Sequence, residues 1–128
     1  MEFIELPSGS LDHLTARRSP ERRSWERFIA VRISYEQAAA MMPVIAPHAI
    51  LVIDRHYNSL QPYRPSKPSI YAICVENTML IRYASFKGHS IILRPHSIDY
   101  QVELIEPKAE QKPASFIVGR VCATIAEL

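Results

Sequence analysis

The stretch that decides the fold is IYAICVENTMLIRY, residues 70–83. Apolar and β-branched residues fill both halves, and Glu76-Asn77 interrupts them in the middle. Short β-rich runs on either side of a turn residue predict two antiparallel strands, residues 70–76 and 78–83, joined by a tight hairpin at Glu76-Asn77. The same texture extends outward. FIAVRI (28–33) is rich in β-branched residues with a period near two, and AILVID (49–54) is a continuous apolar run closed by a charge. The second pattern is that of a strand buried on both faces. SIILR (90–94), YQVELI (100–105) and FIVGRVCATI (116–125) bring the strands to seven. Pro-containing connections separate them, which predicts a mainly β domain: an antiparallel sheet or partly closed barrel.

One helical signal interrupts this body. YEQAAAMM (35–42) consists of good helix formers and stops at Pro43. Residues 61–69 hold Pro62, Pro65 and Pro68 and read as an extended, polyproline-like connection. At the start, Phe3, Ile4 and Leu6 alternate weakly as an edge strand, and LPSGS (6–10) reads as a turn or linker. The expected organisation is an Arg-rich arm, residues 1–27, followed by one β-rich domain, residues 28–128.

Composition supports a single ordinary globular unit: 128 residues, 48% hydrophobic, 22% charged. Ten prolines against three glycines disfavour long helices. The sequence has no apolar run near the roughly 18–20 residues that span a bilayer and no secretory leader pattern, so the expectation is a cytoplasmic protein without a membrane partner. The net charge of +2 is too small to imply nucleic-acid binding. It is uneven, however: Arg17, Arg18, Arg22, Arg23, Arg27 and Arg32 are opposed only by Glu21 and Glu26. That segment reads either as a phosphate-contacting arm or as a solvated linker, with Ser19-Pro20-Glu21 suited to start a short helix and Trp25 and Phe28 on one face of it. Cys74 and Cys122 sit in apolar runs, and His13, His48, His56, His89 and His96 lack metal-ligand spacing. The cysteines are expected to be buried small hydrophobes, with no metal and no cofactor.

The segment AMMPVIAPHAILVID, residues 40–54, resembles the signature of the LexA-type serine peptidases, which include phage repressors and mutagenesis-linked autoproteases. In that family a strand leads to Ser-Met-x-Pro, an apolar residue, x-Pro-Gly-Asp and an apolar strand ending in Asp. Met41, Pro43, Ile45, Pro47 and residues 50–54 hold the matching positions. The resemblance continues through residues 70–83, where the family carries a Lys, through Leu93-Arg94-Pro95 and Tyr100, and through Phe116-Ile117-Val118-Gly119-Arg120-Val121, similar to the family's terminal Ile-Ile-Gly-Arg-Val strand. It implies a LexA-like fold for residues 28–125.

The departures decide the expected function. The nucleophile position is Ala40, which has no hydroxyl. The base position falls on Arg82, whose guanidinium does not give up a proton, and Lys87 reads as loop surface past the strand end. His48-Ala49 replaces the family's Gly-Asp, and the arm has no Ala-Gly or Cys-Gly bond to cleave. Losing a serine peptidase's nucleophile costs on the order of a millionfold in turnover. A substitute dyad would have to use Ser34 with His48 or His56. The resemblance therefore implies a non-enzymatic domain that keeps the family's second role, homodimerisation of a transcriptional regulator or phage-repressor-like protein. DNA would be contacted only through a separate helix-turn-helix domain. Phe116, Val118, Val121, Ala123 and Ile125 are the candidate dimer surface if the last strand offers an unpaired edge; otherwise it is a central core strand. The alternative is a ligand- or peptide-sensing domain using the vacant cleft, with Ala40, Met41, Pro43 and Arg82 as candidates. Arg82 would then suit a carboxylate or, in a structural role, pair with Glu76 or another strand acid.

Overall fold

The computed structural model describes residues 2–4, 26–56 and 68–126. The elements are β1 (Glu2–Ile4), β2 (Phe28–Arg32), α1 (Tyr35–Ala39), β3 (Ile50–Asp54), β4 (Ile70–Val75), β5 (Thr78–Lys87), β6 (Ser90–Arg94), β7 (Glu103–Ile105), the 3-10 helix Pro113–Phe116 and β8 (Ile117–Ile125). The eight strands form one antiparallel sheet in the order β1-β2-β3-β8-β4-β5-β6-β7. The sheet is open: β1 and β7 are its two edges.

The hairpin forms as its sequence demands. Val75 pairs with Thr78, and both turn residues take positive φ, +49° at Glu76 and +63° at Asn77. That is the left-handed pair whose twist matches the flanking strands. A second two-residue turn follows at Gly88-His89, with Gly88 at φ +62° and Lys87 paired to Ser90. Lys87 is therefore the last residue of β5 rather than part of a loop, because the glycine lets the ladder continue to the turn.

Other boundaries moved for local reasons. The helix expected over residues 35–42 ends at Ala39, and the chain then turns, with Met41 N–H on the Ala38 carbonyl at 2.8 Å. The strand expected from Tyr100 begins at Glu103. Tyr100 is held in a turn by the Ser97 carbonyl, and the Ser97 hydroxyl accepts the Asp99 N–H. Phe116 closes the 3-10 helix, so β8 starts one residue later. The weak alternation at the N-terminus forms an edge strand, with Phe3 opposite Val31. Leu6, Trp25 and most of the polyproline-like connection lie outside the described residues.

Each face of the sheet carries a core. Opposed residues in neighbouring strands share a face, so Ile29, Ile53 and Val121 line up across β2, β3 and β8. They join Val31, Ile33, Leu51, Ala72, Ile81 and Tyr83, under Ala38, Met41 and Ile45 from α1 and the loop after it. The other face buries Tyr71, Ile73, Ala84, Ile91, Leu93 and Ile117, with Leu80, Ile105 and Phe116 packed against them. Each fully buried Ile or Leu contributes about 2 kcal/mol by removing apolar surface from water. Gly119 lets β8 approach β3: a Cβ there would lie 2.5 Å from the Asp54 carbonyl oxygen.

Candidate functional site

The segment resembling a peptidase nucleophile loop is built on a helix stop. Ser34 caps α1: its Oγ accepts the Gln37 N–H at 3.2 Å, and Gln37 Oε1 accepts the Ser34 N–H at 2.9 Å. The hydroxyl considered for a rescued dyad is thus engaged in a reciprocal cap. His48 occupies an exposed turn at φ +63°, and the His56 N–H donates to Asp54 Oδ1 at 3.0 Å. The structure does not assemble Ser34 with either histidine.

Ala40 is the helix C-cap and is 1% exposed. Its carbonyl oxygen accepts two backbone N–H groups, His96 at 2.8 Å and Ser97 at 2.9 Å. The Tyr83 hydroxyl lies 2.9 Å from His96 Nδ1. Ala40, His96, Ser97 and Tyr83 therefore clasp the loop after α1 to the turn that follows β6. Tyr83, His96 and Ser97 escaped the sequence reading. The available signal was Pro95, which ends a strand and forces a turn at His96-Ser97, next in sequence to Leu93-Arg94-Pro95.

The four cleft candidates do not converge. Ala40 and Met41 are fully buried, whereas Pro43 is exposed. Arg82 alternates along β5 with Ile81 and Tyr83, which belong to the core that holds Met41. Arg82 therefore faces the opposite side of the sheet, because successive strand residues point to opposite faces. Ile81, not Arg82, shares Met41's side. Arg82 is itself buried, and its Nη1 donates to the Ile81 carbonyl at 2.8 Å. Burial pushes its guanidinium below the ordinary arginine range, while Glu103 and Tyr100 raise it. The strand acid facing Arg82 is thus Glu103, and Glu76 sits exposed in the hairpin turn.

On that second face, one row crosses five strands: Phe28 opposite Asp54, Asp54 opposite Arg120, Arg120 opposite Tyr71, Tyr71 opposite Arg82. Arg27, assigned by sequence to the arm, anchors the row. Its Nε and Nη2 donate to the two Asp54 carboxylate oxygens, each at 3.0 Å, and its guanidinium stacks 5.0 Å from the Phe28 ring centre. Cys122 is half-buried, donates through Sγ to the Val52 carbonyl at 3.4 Å, and has its thiol pushed up by burial and by Asp54. Cys74 is exposed, which corrects the expectation that both cysteines are buried.

Of the two readings of the last strand, the structure gives the interior one. β8 lies between β3 and β4, pairing with β3 over residues 120–125 and with β4 over residues 117–120. Phe116 packs on one core and Val118 and Val121 on the other. Ala123 is half-buried, and Ile125 alone among the five is exposed. Exposed apolar side chains concentrate instead at and before the β7 edge: Ile98, Tyr100, Val102 and Leu104, alternating in sequence. Among the described residues no helix is long and apolar enough to cross a membrane, and no three His, Cys, Asp or Glu side chains cluster as metal ligands. The chain matches no family model, and comparison with curated proteins returns no match.

Proposed function

We propose that this chain is a non-catalytic, LexA-like domain that holds two copies of a cytoplasmic transcriptional regulator or phage-repressor-like protein together, DNA being contacted through a separate helix-turn-helix domain. The observation that carries this reading is the clasp at Ala40. The position where the resembling family keeps its nucleophile has no hydroxyl, is sealed from solvent and has its carbonyl spanned by His96 and Ser97. A segment used in this way organises the fold and leaves assembly as the role to be filled. Ile81 and Arg82 offer no deprotonatable amine on either side of β5, which supports the same reading. The sensing alternative is less supported, because Pro43 and Arg82 do not meet Ala40 and Met41 in one cleft. Light scattering across micromolar concentrations tests the proposal: a concentration-stable dimer is expected, and a monomer throughout would refute it.

A further inference from the structure

We draw no further inference here: the strongest candidate, the apolar surface patch of Ile98, Tyr100, Val102 and Leu104 at and before the open β7 edge, carries nothing because no feature of the structure shows what covers it.

Discussion

The Arg27–Asp54 pair offers a prediction whose size follows from its geometry. Asp54's side chain is 4% exposed and Arg27's 12%, and the two are joined by paired 3.0 Å hydrogen bonds. Arg27→Ala leaves a buried carboxylate that still accepts the His56 N–H and has Arg120 opposite it in the next strand. Stranding one member of a buried pair costs about 3–5 kcal/mol, and we expect about 3 because His56 still donates. For a domain of this size that is a fall of roughly 10 °C in Tm. Replacing both partners, Arg27→Met with Asp54→Leu, removes the desolvation cost along with the attraction. That chain should lie within about 1 kcal/mol of the parent. Urea and thermal unfolding of the parent, the two single variants and the double variant complete a thermodynamic cycle, with a coupling of about 2 kcal/mol or more expected. If Arg27→Ala costs under about 1 kcal/mol, the pair behaves as a solvated surface bridge and the reasoning fails. That result would also return Arg27 to the linker.

Four further outcomes are expected. Gly119→Ala forces a Cβ against the Asp54 carbonyl, 2.5 Å away, and should destabilise by about 1–3 kcal/mol in a urea titration, because backbone on both sides must shift. Glu76→Asn with Asn77→Gly should raise stability by about 1 kcal/mol, since glutamate is a poor residue for φ +49° and Asn-Gly suits this turn; an unchanged midpoint would refute it. In thiol titration near pH 8, Cys74 should react well before Cys122. Burial raises the Cys122 thiol, so its thiolate fraction at a given pH is lower and grows only at higher pH. Ala40→Ser should remain unlabelled by a fluorophosphonate probe and lose about 1 kcal/mol, because a hydroxyl is added at a sealed position; rapid labelling would revive the peptidase reading.

How much of this was legible in the sequence depended on whether the cause was local. The hairpin at Glu76-Asn77 and the strand at Ile50–Asp54 are set by neighbours within a few residues, so β-branched runs and turn residues announce them. The clasp on Ala40 is not local: His96 and Ser97 reach it through their backbone N–H groups, and backbone donors leave no mark on residue identity. The Arg82 position shows a different limit. A base assigned by analogy to a strand is right or wrong by one residue, and one residue reverses the face. Alternation within 78–83 pointed to this, since Ile81 and Tyr83 are apolar and Arg82 is not. Sheet order was the least readable feature. The terminal strand β8 inserts between β3 and β4, and an apolar run such as FIVGRVCATI looks the same at an edge as in the middle.

That insertion bears on assembly. β8 pairs with β3 over residues 120–125 and with β4 over residues 117–120, and of the five candidate side chains at this strand only Ile125 is exposed. One exposed isoleucine is too little surface for a stable interface, which normally buries about 800 Å² on each partner. An interface of that size needs a contiguous patch, and the larger set of exposed apolar residues is at 98, 100, 102 and 104. Asp99, Glu103 and Glu106 lie among them, with Arg94 and Lys108 flanking the segment and Arg82 facing Glu103. A dimer contact made between charged groups at the surface weakens steeply with added salt, because salt screens it. A dimer held by a buried apolar β8 would instead tighten or hold steady as salt rises, so the sign of the salt dependence separates the two arrangements.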